Sequence, residues 1–463
     1  MNRVANPAKI EPSSKCRQIV LLVAASMAMA LPTFLVAQQI GSQPAVSAPA
    51  ATVLDAAKRK AVVDVLAQKL ISDYAYAEVG AKLAAAVQAN LKAKSYDGIT
   101  GNEAFAKKLT DDLYAVAKDK HLRVNYDARP MPVMQEGIPP EAIAQLRKQN
   151  GAIPKVEILE GNVGYMRVNG VPPFDYSKDA VATAFAFLKN TDALIIDNRG
   201  NGGGDPRTVA WYMSYLSEGE PYLLNTFRWR NGGRFEESRT TNLGELAYGK
   251  QKPVYVLTSP QTFSGGEELT YNLQAFKRGV VVGETTGGGA NPGGVLPLGN
   301  QFVAFIPSGY PVNAITQSNW EGVGVKPDVA VNATQALDKA YVLALDKLSA
   351  GLTDVRQRRP LEAVALKVKL NSEGNSNVAL LPNAQVVGDY LDSASGRVLV
   401  TVSEKDGALS VRLPSGIDQR LELVSGNRYK MQLNGAVTFI KEGSGLKALV
   451  ELPVGATVLT DKR

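Results

Sequence analysis

The sequence predicts an α/β core that follows a helical domain and precedes an antiparallel β domain. Between about residues 155 and 350, short apolar runs bounded by turn residues alternate with amphipathic stretches of helical period. Before this region the apolar residues recur only at helical spacing, and after it they alternate with polar residues as in half-buried strands. The 463 residues leave room for all three units.

The composition is that of a globular protein, with 45% hydrophobic and 21% charged residues. The formal net charge is +7, and the one dense basic run, 356–359, has no aromatic residues interleaved for stacking on bases. A solvated linker explains this run better than a nucleic-acid surface. Nucleic acid is therefore not an expected partner.

Residues 1–37 have the organisation of a secretory signal peptide. Lys15 and Arg17 precede an uncharged apolar run that carries small residues towards its end. An uncleaved membrane anchor is the alternative, because the run is nearly long enough to span a bilayer. The rest of the chain is expected in the periplasm or outside the cell, and without a disulfide, because the only cysteine is Cys16.

A polar linker is predicted over 38–52 and an N-terminal helical domain over 53–125, where Val62, Leu66 and Leu70 recur at helical spacing. The α/β core is assigned to 126–350. Its strands are predicted at Val163 to Val168, Ala193 to Ile196, Val254 to Leu257, Val280 to Val282 and Phe302 to Ile306.

A second linker is predicted over 351–372, and the antiparallel β domain over 373–463. In the latter, Val398 to Val402 and Leu409 to Leu413 alternate with polar residues on either side of a Lys-Asp-Gly turn, which predicts a hairpin. Nothing in this domain suggests catalysis, so a role in guiding substrates or in docking is expected.

Ser264 stands where a buried strand and a short loop lead into an amphipathic helix. One interpretation is a helix cap, because serine is favoured there and Glu267 completes a capping box. The other is a nucleophile, since backbone N–H groups and the positive end of the helix dipole would stabilise the oxyanion formed by its attack. These residues alone leave both interpretations open.

A second buried strand runs into Asn201-Gly202-Gly203-Gly204, after which Asp205 and Pro206 suit the start of another helix. Consecutive glycines let a substrate backbone approach closely and leave N–H groups free. A plain flexible turn is the alternative. A phosphate loop is not favoured, because no Gly-Lys-Ser/Thr sequence follows.

Five motifs occur in a fixed order: DKHLRV, IIDNRGNGGG, TSPQTFSGGEE, VVGETTGGG and WEGVGVKPDV. Because these motifs follow one another as they do in the carboxyl-terminal processing, or tail-specific, serine protease family, the chain resembles that family over about 53–345. The resemblance implies an α/β crotonase-like core and peptide or protein substrates cleaved through an acyl-enzyme. It also implies Ser264 as the nucleophile and an oxyanion hole made by the N–H of Gly265 with that of Gly202 or Gly203.

The chain departs from the best-known branch of that family, which activates its serine with a lysine in a G-K-G motif and carries a PDZ domain. Gly289 stands at the lysine position, and the segment between His121 and the core is too short for a PDZ domain. Lys277 lies thirteen residues down the helix from Ser264, roughly 20 Å away at the helical rise. A Ser/Lys dyad is therefore not expected.

His121, the only histidine, stands where the PDZ-less branch resembling tricorn-like and interphotoreceptor retinoid-binding protein-like peptidases places its catalytic histidine. An ordinary pKa near 6.5 suits imidazole to take and return a proton. Glu321 matches the glutamate of tricorn-like members that orients this histidine, and Glu267 is its rival. With no His/Cys cluster, neither a metal nor another cofactor is expected.

The resemblance leaves other functions open, because a fold does not fix an activity. A non-hydrolytic protein that binds peptides or lipids on the same fold is the first alternative, since retinoid-binding relatives exist. An esterase or amidase acting on small molecules is a third possibility.

Overall fold

A computed structural model describes residues 54–128, 140–373, 379–392, 395–453 and 455–463. The predicted signal peptide over 1–37 and the first linker over 38–52 lie outside these residues. Within the described ranges, no helix combines the length and the apolarity needed to cross a membrane.

The helices and strands are numbered in chain order. The helices are α1 (Ala56–Asp73), α2 (Ala77–Lys92), α3 (Asn102–Ala117), α4 (Pro140–Lys148), α5 (Phe174–Leu188), α6 (Pro206–Tyr215), α7 (Gly265–Ala275), α8 (Ala336–Ala350), α9 (Val355–Glu373) and α10 (Asn383–Val386). The strands up to the end of the α/β region are β1 (Arg123–Tyr126), β2 (Lys155–Leu159), β3 (Val163–Arg167), β4 (Ala193–Asp197), β5 (Leu223–Trp229), β6 (Phe235–Arg239), β7 (Val254–Thr258), β8 (Val280–Gly283), β9 (Gly293–Gly299), β10 (Phe302–Pro307), β11 (Gly309–Asn313) and β12 (Val329–Ala330).

The N-terminal region is helical, as the apolar spacing predicts. Helix α1 begins after Asp55, whose carboxylate accepts a hydrogen bond from the Lys58 N–H and so satisfies one of the unpaired donors at the helix start. The buried faces of α1, α2 and α3 pack together and against Phe302 of β10. The chain then passes from α3 into β1, which pairs with β10. This pairing carries His121, just before β1, onto the α/β region.

The centre of the molecule is a six-stranded sheet in the order β12-β8-β7-β4-β3-β2. All neighbouring strands are parallel except β2 and β3. Every residue of β4 and β7 is buried, as expected for a parallel sheet covered on both faces. Helices α5, α6 and α7 cover one face, and α8 and α9 cover the other. Four of the five predicted strands lie in this sheet.

The fifth predicted strand, β10, forms outside the central sheet. It lies between β1 and β9 in a three-stranded antiparallel sheet, with the N-terminal helices covering one face. A run of apolar residues predicts a buried strand but not its partners. A strand packed under the N-terminal helices and a strand of the central sheet both need apolar side chains. A second small sheet, in the order β11-β5-β6, was also not predicted.

The C-terminal strands form a closed antiparallel barrel. They are β13 (Gly388–Asp392), β14 (Val398–Lys405), β15 (Ala408–Arg412), β16 (Asp418–Ser425), β17 (Arg428–Met431), β18 (Ala436–Glu442), β19 (Gly445–Glu451) and β20 (Thr457–Lys462). The predicted hairpin is the β14–β15 pair, with Glu404 opposite Leu409. Closure through the β13–β20 pair was not predicted, because nothing local encodes the pairing of two distant ends.

The predicted second linker over 351–372 is mostly helix α9 rather than a solvated connection. Its Val364 and Ala365 are buried against the central sheet, and its Ala363 contacts Leu449 and Leu459 of the barrel. The basic run 356–359 near its start favoured a solvated linker, so the sequence did not predict this packing. One of its arginines, Arg359, pairs with Asp461 of β20 at 2.9 Å.

Candidate active site

Ser264 stands at the tight turn between β7 and α7, as the sequence predicts. Its backbone has φ 53° and ψ −122°, a conformation that costs a residue with a side chain of order 1–3 kcal/mol. The turn is held by two hydrogen bonds, from the Phe263 N–H to the Asn201 carbonyl and from the Gly266 N–H to the Phe263 carbonyl, both 2.9 Å. The surrounding structure thus imposes a strained backbone on the predicted nucleophile.

The glycine run lies directly against this turn. A Cβ on Gly203 would stand 2.6 Å from the Ser264 Cβ and 2.7 Å from the Gly265 nitrogen, so only glycine fits there. The Gly203 N–H donates to Asn201 Oδ1 at 2.8 Å and is therefore engaged. Among the described residues, the N–H groups of Gly202, Gly204 and Gly265 have no acceptor.

Gly204 was not among the predicted oxyanion donors, yet its nitrogen lies 2.9 Å from where a Cβ on Gly265 would stand. Gly202 is exposed, with nothing within 4 Å of its Cβ position. Gly204 is thus a candidate for the second oxyanion donor, because its N–H lies close to Gly265. Gly202 is the other candidate, and its N–H is more exposed. The predicted alternative Gly203 contributes shape rather than a free donor.

His121 is buried and lies between two aromatic rings. Its imidazole centroid is 4.6 Å from that of Phe263 and 5.6 Å from that of Phe305. Phe263 precedes Ser264 in the chain, and both His121 and Ser264 line the same cleft. The fold therefore brings together two predicted residues that are far apart in the sequence.

Gly289, at the position of the missing lysine, lies against both rings. A Cβ there would stand 2.2 Å from Phe263 Cζ and 2.9 Å from His121 Cε1. The space in which a lysine side chain would begin is thus occupied by Phe263 and the imidazole. Lys277 is exposed beyond the end of α7 and does not line the cleft.

Glu321 lies beside the imidazole, where the sequence predicts the orienting carboxylate. One polar atom from each of Asp119, His121 and Glu321 lies within 4.8 Å of the other two. Glu321 Oε2 accepts hydrogen bonds from the Ala290 and Asn291 N–H groups at 2.6 and 3.0 Å. Glu321 Oε1 and His121 Nδ1 are both buried without a partner.

Asp119 was missed by the sequence analysis, although it stands in the same motif as His121. Its carboxylate accepts from the His121 backbone N–H at 2.9 Å, from the Tyr74 hydroxyl at 3.0 Å and from the Asn291 amide at 3.3 Å. It therefore fixes the backbone that carries the imidazole. Its position two residues before the histidine was the only available signal.

Burial is the main cause of the shifted pKa values of His121, Glu321 and Asp119. Burial, and then the positive charge of Arg123, lower the pKa of His121 to about 3, so its imidazole is neutral at physiological pH. Burial, and then the neighbouring Asp119, raise the pKa of Glu321 to about 7. Burial also raises the pKa of Asp119. A neutral imidazole can accept a proton, and the adjacent carboxylates can stabilise the cation that results.

Glu267, the rival candidate for orienting His121, is fully engaged elsewhere. Its Oε1 accepts from the Thr286 hydroxyl and the Gly288 N–H, and its Oε2 accepts from the Gly289 and Ser264 N–H groups. The predicted capping arrangement with Ser264 is present. Glu267 thus fastens the glycine-rich segment to the start of α7.

Asp119, His121 and Glu321 form the one His/Cys/Asp/Glu group within the described ranges that is close enough to hold a metal ion. The carboxylate oxygens of Asp119, and Oε2 of Glu321, already accept N–H or O–H donors. A cation would have to compete with those donors. The arrangement suits a carboxylate–imidazole pair better than a metal centre.

The cleft beside Ser264 has a volume of 1760 Å³. Its walls combine large aromatic side chains with charged ones, and strand β6 forms part of one wall. The aromatic residues are Phe174, Trp211, Phe227, Trp229, Phe263, Phe305 and Trp320. A cleft of this size can hold several residues of an extended peptide.

Two family models match adjoining parts of the chain. Peptidase family S41 matches residues 162–331, and the N-terminal domain of that family in eukaryotic IRBP matches residues 49–157. The chain belongs to peptidase family S41. The resemblance predicted from the ordered motifs is thereby confirmed.

This S41 chain is also similar to individual proteins. The carboxy-terminal-processing protease of Bartonella bacilliformis is 24% identical over 200 residues, which are 40% of this chain and 41% of that protein. The chain thus spans about two fifths of the curated relative that it matches. Among solved structures, the photosystem II D1 C-terminal processing protease is 22% identical, with a TM-score of 0.31 over 37% of this chain and 42% of that one. The tricorn protease is 12% identical, with a TM-score of 0.40 over 67% and 37%.

Replacing Gly289 by Ala should destabilise the S41 chain by roughly 1–3 kcal/mol, because the added methyl group overpacks Phe263 and His121. Displacement of the imidazole should also lower any catalytic rate. Urea denaturation measures the first effect, with Gly98→Ala as the matched control, since nothing lies within 4 Å of a Cβ there. Equal stability of the two variants would contradict the described packing.

Proposed function

We propose that this S41 chain is a serine peptidase that cleaves extended peptide or protein segments through an acyl-enzyme. The observation that carries the proposal is the cleft that holds both Ser264 and His121, while Gly289 leaves no room for a lysine. Within the fold, we assign the covered sheet and its flanking helices to a crotonase-like core. The name of the Bartonella bacilliformis relative, a carboxy-terminal-processing protease, suggests C-terminal segments as substrates.

In the proposed first half-reaction, Ser264 Oγ attacks the scissile carbonyl carbon and His121 takes the hydroxyl proton. The carbonyl oxygen becomes an oxyanion, which accepts hydrogen bonds from the Gly265 N–H and from that of Gly202 or Gly204. Glu321 stabilises the imidazolium. The C–N bond then breaks, and the imidazolium returns its proton to the leaving amine.

In the second half-reaction, a water molecule attacks the acyl-enzyme and His121 takes its proton. Breakdown of the second tetrahedral intermediate returns that proton to Ser264 Oγ and releases the new carboxyl terminus. The strained backbone at Ser264 supports this assignment, because such strain is concentrated at functional sites. An exported location is part of the proposal and depends on residues 1–37.

Labelling with a fluorophosphonate tests the proposal directly. The wild-type chain should form one phosphonyl adduct, on Ser264, and should hydrolyse an extended peptide. Replacing Lys277 by Met should leave labelling and hydrolysis close to wild type, because Lys277 lies outside the cleft. A protein that binds peptides or lipids without hydrolysing them would not be labelled, and an esterase would cleave esters but not peptides. Either result would overturn the proposal.

Glu321 should determine the pH dependence of the rate. Its pKa near 7 predicts that kcat/KM rises with pH through a step near 7, because only the ionised carboxylate stabilises the imidazolium. Glu321→Gln should lower the rate and abolish this step. A step that persists near pH 7 in the variant would assign it to another group.

The same residue links pH to stability. Because its folded-state pKa of about 7 exceeds the ordinary 4.5, its stabilising contribution is complete below pH 4.5 and is lost as pH rises through 7. The free energy of unfolding, measured by urea denaturation, should therefore fall more between pH 5 and pH 8 in the wild type than in Glu321→Gln.

A further inference from the structure

Arg123 is an unpaired cation in the cleft. Four arginines line the cleft, and three of them pair with carboxylates: Arg207 with Asp205 at 2.8 Å, Arg234 with Glu236 at 3.8 Å and Arg239 with Glu237 at 2.7 Å. Throughout the described ranges, no carboxylate oxygen lies within 4.0 Å of the Arg123 guanidinium. The cleft thus contains one arginine available to a ligand.

The position of Arg123 is fixed by its surroundings. It follows His121 by two residues, and both side chains line the cleft. Its guanidinium carbon stands 5.0 Å from the centroid of Phe305, the ring that also stacks on His121, and its Nη1 lies 3.4 Å from the His121 carbonyl oxygen. Burial lowers the pKa of this guanidinium, a cost that an anionic partner would offset.

The nature of that partner follows from arginine chemistry. A guanidinium presents donors in a planar fork that matches a carboxylate with two parallel hydrogen bonds. In a peptide substrate, carboxylates occur at the C-terminus and on acidic side chains. His121 protonates the leaving amine in the proposed mechanism, so the segment that leaves begins beside the imidazole and beside Arg123.

The distance between the imidazole and the guanidinium limits the length of a leaving segment whose terminal carboxylate reaches Arg123. The imidazole and the guanidinium carbon lie 5.6 and 5.0 Å from the Phe305 centroid, so they are at most about 11 Å apart. An extended chain advances about 3.3–3.6 Å per residue, so roughly one to three residues span this distance.

We propose that Arg123 binds the C-terminal carboxylate of the substrate, so that the enzyme releases C-terminal segments of about one to three residues. This inference rests on the proposed peptidase function and specifies its substrate. Arg123 then acts as a specificity-determining residue, and the tail-processing activity is close to that of a carboxypeptidase.

The experiment compares two peptides of one sequence, ending in a free carboxylate or in an amide. Wild type should cleave the acid with a kcat/KM roughly 10- to 100-fold higher, the range expected for hydrogen bonds to a charged group. Arg123→Met should lose this preference, and Arg123→Lys should retain part of it. Arg239→Met is the matched control that should keep the preference, because Arg239 is paired with Glu237.

The ratio between the two peptides isolates the proposed contact. Removing Arg123 also changes the electrostatics around His121, but that change affects the acid and the amide equally. Equal cleavage of both peptides by wild type would overturn the inference and leave the peptidase function intact. Absence of cleavage together with an unlabelled Ser264 would instead overturn the function. A preference that follows an acidic side chain in amidated peptides would also overturn the C-terminal assignment.

Discussion

Replacing Ser264 by Ala is expected to lower kcat/KM by roughly 10³-fold or more while the protein stays folded. The hydroxyl supplies the attacking oxygen, and among the described residues that line the cleft no other hydroxyl-bearing side chain stands at the turn facing the glycine run. Loss of a helix cap alone would cost about 1 kcal/mol of stability and leave the rate near normal. Steady-state kinetics and urea denaturation separate the two roles.

Ser264→Gly provides a matched control for the backbone. It should be as inactive as Ser264→Ala but more stable, because glycine adopts φ 53° and ψ −122° without steric cost. Both variants therefore lose the hydroxyl, and only one relieves the strain. A folded Ser264→Ala protein with wild-type turnover would refute Ser264 as the nucleophile.

Replacing His121 by Gln is expected to abolish nearly all activity, because an amide cannot take the serine proton. Glutamine is polar and similar in size, so the fold should persist, whereas His121→Ala would leave a cavity between Phe263 and Phe305. Kinetics of His121→Gln, with circular dichroism as the check on folding, measure the effect. Wild-type turnover in the folded variant would exclude His121 as the base.

The single histidine also permits an unambiguous NMR measurement. With a pKa of about 3, the imidazole should remain neutral from pH 5 to pH 9 rather than titrate near its ordinary 6.5. Any step in the rate near pH 7 should then disappear in Glu321→Gln. A histidine signal that titrates at the same pH as the rate would reassign the step to His121.

The sequence predicts the position of Ser264 well because the signal is local. A buried strand, a short loop and a helix start are consecutive in the chain, and the structure contains each of them. The glycine run is predicted well for the same reason, because its residues are consecutive in the chain. The proximity of His121 came only from the resemblance, because a histidine 143 residues before Ser264 has no periodic relation to it.

The remaining features depend on tertiary packing. The pKa values of His121 and Glu321 arise from burial between segments that meet only in the folded chain. The engagement of the Gly203 N–H depends on the rotamer of Asn201. Likewise, no residue of β13 or β20 indicates by itself that these strands pair.

Helix α9 makes completion of the core depend on a late part of the chain. Its Val364 and Ala365 cover the sheet face that includes Val163 and Ile195, which are synthesised much earlier. Until α9 emerges, that apolar face lacks part of its cover, so a truncated product would expose it to chaperones and proteases. An unfinished copy of the chain would therefore be removed while its core is still incomplete.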